Sequence, residues 1–115
     1  MKYARVFVEP TADSPNNSPF CVDVIVDDNG EMLGKHALFG LYGWFDRARG
    51  QLQPFVLGVD GRLDWGDHAS DSDRQGSVDL RDGPVLEGRL INYRDSHGPA
   101  TYRIKDIVEL PVLKG

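Results

Sequence analysis

Residues 71–82 read DSDRQGSVDLRD, which puts Asp71, Asp73, Gly76, Val78 and Asp79 at positions 1, 3, 6, 8 and 9 of the stretch. A calcium loop set between two helices draws oxygen ligands from positions 1, 3, 5, 7, 9 and 12, turns on a Gly at position 6 and closes on a bidentate Glu. Three features argue against that chemistry here. Gln75 stands where Asp or Asn is usual, Asp82 is one methylene short of the bidentate Glu, and Arg74 and Arg81 bring two positive charges to the place of the cation. The flanking DWGDHAS and GPVLEG also lack a helical pattern. The stretch reads instead as a solvated turn and a short strand, in which Val78 and Leu80 alternate with polar neighbours.

A second constellation lies just upstream. Asp64, Asp67 and His68 in DWGDH, with Ser70, Ser72 and Ser77 nearby, would suit hydrolysis if a base met a nucleophile. That condition is one of geometry, and adjacency in sequence does not meet it. Carboxylate pairs such as Asp64 and Asp67 also arise wherever a turn is rich in Asp. The chain carries no Gly-x-Ser-x-Gly elbow, no Gly-Lys-Ser/Thr phosphate loop and no dinucleotide fingerprint. One Cys and three dispersed histidines, His36, His68 and His97, lack the close ligand pairs of a zinc site. The expectation is a chain with no catalytic residues, no metal and no cofactor, a small hydrolase or calcium-binding domain being the residual alternative.

Charge says more than any motif. The formal charge is −5, and between Asp60 and Asp82 seven Asp stand against Arg62, Arg74 and Arg81. A field of that sign repels phosphate backbones, so no direct nucleic-acid contact is expected through this region. From Gly83 onward five Lys or Arg face four acids, too even a balance for a basic patch. No segment has the length of a membrane span. The opening MKYARVFVEP offers only a three-residue apolar run before Glu9, short for an export signal. With Cys21 as the single cysteine, a reducing, cytoplasmic setting is expected, Cys21 acting as a small buried hydrophobe.

The elements that would carry these residues are strands. Fourteen Asp against four Glu, with 13 Gly and 7 Pro, favour turns over helix interiors. Turn signals recur at Asp28–Gly30, Asp46–Gly50, Asp60–Gly61, Arg74–Gly76, Asp82–Gly83 and Asp95–Gly98. Between them FCVDVIVDD alternates cleanly, Tyr3 to Glu9 and Leu52 to Val59 read similarly, and residues 11–19, TADSPNNSP, form a surface loop. In HALFGLYGWFDRARG the aromatic content favours a bent strand over a helix, with Gly40 and Gly43 marking bulges or close backbone approaches. A six-residue loop from Asp95 to Ala100 would set Tyr93 opposite Tyr102 and Ile91 opposite Ile104. KDIVELP then reads as one helical turn capped by Asp106. The fold class expected is mainly β: one domain over residues 1–115, an antiparallel small barrel or sandwich of about six to eight short strands with at most one short helix.

The function expected from this pattern is a non-enzymatic interaction module or inhibitor that presents an acidic, Asp-rich surface to a basic partner protein. Its sharper form is a nucleic-acid charge mimic of phage or mobile-element type. The partner-binding residues expected are Asp64, Trp65, Asp67, Asp71, Asp73 and Asp79, Trp65 being an aromatic group ringed by charge, as interface anchors often are. The alternative is a structural subunit of a homo-oligomer.

Overall fold

In YARVFVE and FCVDVIV every second residue is apolar, a period that fits only extended chain with one covered face. A computed structural model describes residues 1–14, 17–43, 52–66, 76–96 and 98–111 and shows how that face is covered. Among the described residues eight strands run in chain order: β1 (Lys2–Pro10), β2 (Phe20–Val26), β3 (Leu38–Tyr42), β4 (Gln53–Leu57), β5 (Arg62–Asp64), β6 (Gly76–Val78), β7 (Leu90–Asp95) and β8 (Gly98–Glu109). Each pairs antiparallel with its neighbours in sequence, and β8 returns to β1, closing an up-and-down barrel. One 3₁₀ turn, Leu80–Asp82, interrupts the meander. Of the expected small antiparallel barrel or sandwich, the barrel is the observed fold. Among the described residues no helix is long and apolar enough to cross a membrane.

An eight-stranded barrel has an interior just wide enough to be filled by side chains. Here Val6, Val8, Val22, Leu57, Ile91 and Ile104 fill it, together with a chain of rings. Phe20 meets Phe55 at 6.0 Å and Tyr102 at 5.0 Å, and Tyr102 meets Tyr93 at 5.4 Å. Among the described residues no charged side chain is buried, and the buried hydroxyls are those of Tyr42, Tyr93 and Tyr102. The outward positions include Arg5, Asp23, Asp64, Asn92, Arg94 and Arg103, so the covered face of each strand is its apolar one.

The two ends of the barrel differ. One rim carries the β2–β3, β4–β5 and β6–β7 connections, and Leu80 and Val85 of the last are buried there. The other rim carries the β1–β2 loop, whose Ser18 carbonyl accepts the Tyr102 hydroxyl at 2.8 Å while its N–H donates to the Tyr42 oxygen. That loop is also sewn to β8, Thr11 N–H donating to the Thr101 carbonyl and Thr101 N–H to Ser14 Oγ.

Two local expectations are corrected. In the β7–β8 hairpin Ile91 pairs with Tyr102 and Tyr93 with Ala100, and pairing continues to Asp95 and Gly98. The connection is therefore two residues long, and Gly98, at φ +116°, takes a backbone conformation that a side chain would oppose. Because the slip is by two residues, each side chain keeps its face, and Tyr93 and Tyr102 still touch inside the barrel. The helical turn expected after Ile104 is strand instead: β8 runs to Glu109 with a bulge where Phe7 pairs Asp106 and Val8 pairs Ile104. The extra residue, Lys105, returns Ile107 to the core side three residues after Ile104, a spacing that imitates a helix.

The strand reading of HALFGLYG holds over Leu38–Tyr42, and residues 44–50 lie outside the described ones. Gly40 is a close approach. A Cβ there would lie 2.3 Å from Phe55 Cζ and 2.5 Å from the Cys21 carbonyl oxygen.

Candidate functional site

The described aspartates of the Asp-rich stretch do not share one patch, because β5 and β6 carry Asp60 and Asp79 to one rim and Asp64 toward the other. Arg62 pairs with Ser77, which sets Asp79 level with Asp60 at one rim and Asp64 toward the other. Asp60, Asp79 and Asp82 gather with Asp13, from the β1–β2 loop, around a polar trough of about 550 Å³ on the outer surface. Its floor is the outward row of β6, β7 and β8, including Ser77, Asn92, Arg94 and Thr101. Among its described lining residues Arg94 is the one basic side chain, against four carboxylates.

What these carboxylates touch decides whether the trough keeps its charge. The carboxylate of Asp79 accepts the Asn92 N–H at 2.8 Å and Asn92 Nδ2 at 3.0 Å, both uncharged donors. Asp60 accepts the Arg62 N–H at 3.0 Å and lies 3.6 Å from the exposed Arg62 guanidinium, a solvent-screened pair. Asp13 and Asp82 form no side-chain hydrogen bond or ion pair among the described residues.

Two neighbouring arginines, Arg81 and Arg89, direct their hydrogen bonds to backbone carbonyls and not to these carboxylates. Arg81 donates through Nε to the Gly58 carbonyl at 2.9 Å and through Nη2 to the carbonyls of His36 and Leu57. Burial lowers its pKa, with the charge of Asp60 opposing that shift. Arg89 donates to the carbonyls of Leu80, Pro84 and Asp79, each at 3.0 Å, and so ties down the 3₁₀ turn that follows β6. A guanidinium presents five donors in a fixed fork, and here the forks satisfy carbonyls that the turns leave unpaired. The barrel therefore closes its rim with cations and leaves the nearby acids facing solvent.

Asp64 and Trp65 belong to a different surface. They line an apolar groove of about 470 Å³ over the outer face of β1–β5, with Arg5, Asp23, Phe39, Leu41 and Val56 among the other lining residues. Asp64 Oδ1 accepts the Gly66 N–H at 2.9 Å. Trp65 is half-buried, its ring 5.4 Å from both Tyr42 and Phe55, so much of its surface packs onto the core. Arg5 and Asp23 form a bidentate pair at 2.8 and 3.0 Å, which raises the Arg5 pKa through that hydrogen bond and charge. Cys21 sits on this outer side yet is buried, and burial pushes its thiol pKa up.

Of the six expected partner-binding residues, then, Asp79 lies in the trough and Asp64 and Trp65 in the groove, while Asp67, Asp71 and Asp73 lie outside the described residues, as does His68. Sequence reasoning missed Asp13, Asn92 and Arg94 in the trough. They come from the β1–β2 loop and β7, and only the barrel's closure brings them beside β6. Among the described residues no group of three His, Cys, Asp or Glu is placed to hold a metal ion. Comparison with protein-family models, curated proteins and solved structures gives no match for this chain.

Proposed function

We propose that the protein is a non-enzymatic interaction module that receives a basic segment of a partner protein in the trough between β6 and β8. The observation that carries this reading is the pairing pattern: four carboxylates line the trough, and the neighbouring Arg81 and Arg89 are bonded to carbonyls. Acidic concave surfaces raise the local concentration of cationic partners and disfavour phosphate-bearing ones. Where the partner's basic surface serves another ligand, such as a nucleic acid, occupying it makes this protein an inhibitor. The reading places the protein in the cytoplasm, where the lone Cys21 thiol stays reduced.

The test is an amide NMR titration with octalysine at two salt concentrations. Saturable shifts at Asp79, Asp82, Asn92 and Arg94 at 0.1 M salt are expected, fading at 1 M, where the screening length falls from about 10 to about 3 Å. Shifts scattered over every exposed acid, or none in the trough, would contradict the reading.

A further inference from the structure

The strand registers align the lining of the apolar groove into a single row across five strands. Arg5 pairs with Asp23, Phe39 with Val56, and Val56 with Asp64. Continuing the β2–β3 register one step past Val22 and Gly40 brings Asp23 level with Phe39. From β1 to β5 the row therefore reads cation, anion, aromatic, aliphatic, anion. The first two charges cancel in a bidentate pair. Phe39 is 72% exposed in mid-strand, an unusual place for so large an apolar side chain. At the far end, Asp64 bonds only to a backbone N–H and has no cationic partner among the described residues.

We infer that this groove is a second docking site, distinct from the acidic trough, for an extended protein segment carrying a large apolar residue and, two positions later, Lys or Arg. Neighbouring strands lie about 4.8 Å apart, so the apolar surface of Phe39 and Val56 ends roughly 5–10 Å short of the Asp64 carboxylate. Alternate side chains of an extended segment stand on one side about 6.6 Å apart. A segment crossing the strands thus sets its apolar side chain over Phe39 and Val56 and its cation against Asp64. The Arg5–Asp23 pair closes the opposite end, where it offers no uncompensated charge.

Three acetylated, amidated heptapeptides test this, with Phe-Thr-Lys, Phe-Thr-Gln or Thr-Thr-Lys set among serines and titrated into the protein while amide shifts are followed. Phe-Thr-Lys is expected to shift Phe39, Val56 and Asp64 saturably. Phe-Thr-Gln is expected to bind about two- to fivefold more weakly, the range for an exposed ion pair, and Thr-Thr-Lys weaker than Phe-Thr-Lys by at least that factor. Asp64→Asn keeps the acceptor for Gly66 and should make the Lys and Gln peptides equal. Phe39→Ser, at an exposed position, should abolish the preference for Phe over Thr. Equal binding of the Lys and Gln peptides to the wild type, or a preference that survives Asp64→Asn, overturns the inference. Shifts confined to the trough overturn it as well and leave the acidic-trough reading standing.

Discussion

Tyr102 shows how a single buried polar group couples the core to the rim. Its ring is wholly buried, its hydroxyl donates to the Ser18 carbonyl, and burial raises its pKa above the ordinary 10.0. A group whose folded pKa is raised contributes stability that is complete below its unfolded pKa and is lost as pH climbs toward the folded value. Stability should therefore hold to about pH 9, begin to fall as the raised Cys21 thiol enters its range above 9.0, and fall further above pH 10 as Tyr102 follows. Tyr102→Phe should lose about 0.5–1.5 kcal/mol at neutral pH from the missing hydrogen bond, and its deficit should shrink above pH 10. Urea unfolding of both proteins across that range checks this; a deficit that grows with pH would contradict it. The arginines give the complementary lesson. In sequence, Arg81 reads as a charge among aspartates, and only coordinates reveal that its fork is bonded to three carbonyls.

At the scale of elements, the strands were legible wherever one face alternates, as in β1, β2 and β4, because period two has no competing explanation. Legibility failed where a turn or bulge resets the period. DSHGPA looks like loop throughout, yet Gly98 and Pro99 open β8 and the turn is only two residues long. Ile104 and Ile107 look helical because one bulged residue separates two extended stretches. β3 is the sharpest case, since helix propensity and strand packing both respond to its glycines. Gly40 has no space for a methyl group: Phe55 covers it and the Cys21 carbonyl approaches from β2. Gly40→Ala should destabilise the barrel by about 1–3 kcal/mol, the range for an overpacked core, as measured by the denaturant midpoint. Gly66→Ser, where no atom lies within 4 Å of the added Cβ, is the contrasting position. There the positive φ of +82°, and not crowding, sets the penalty, so a smaller residue at Phe55 should relieve the part of the Gly40→Ala penalty that the ring causes, leave the part due to the Cys21 carbonyl, and leave Gly66→Ser unchanged.

The described residues form a closed meander with an apolar interior, and closure removes the free strand edges that otherwise invite pairing with other chains. On the outer face two surfaces of different character lie over β1–β5 and β6–β8. The acidic bias was visible in the sequence. Its division between the surfaces was not, since it depends on β5 and β6 reversing direction between Asp64 and Asp79. Bulk charge and local trough make separable claims. Calorimetric titration of octalysine should compare the wild type with Asp13→Asn/Asp82→Asn, which neutralises the two trough carboxylates without side-chain partners among the described residues. A control, Asp28→Asn/Glu31→Gln, removes two exposed acids from the β2–β3 connection and changes the net charge equally. The trough variant should bind about two- to thirtyfold more weakly, at 0.2–1 kcal/mol per exposed pair, with the control close to wild type. Equal losses in both variants would mean that net charge alone attracts the polycation, and the trough would then have no claim to be the site.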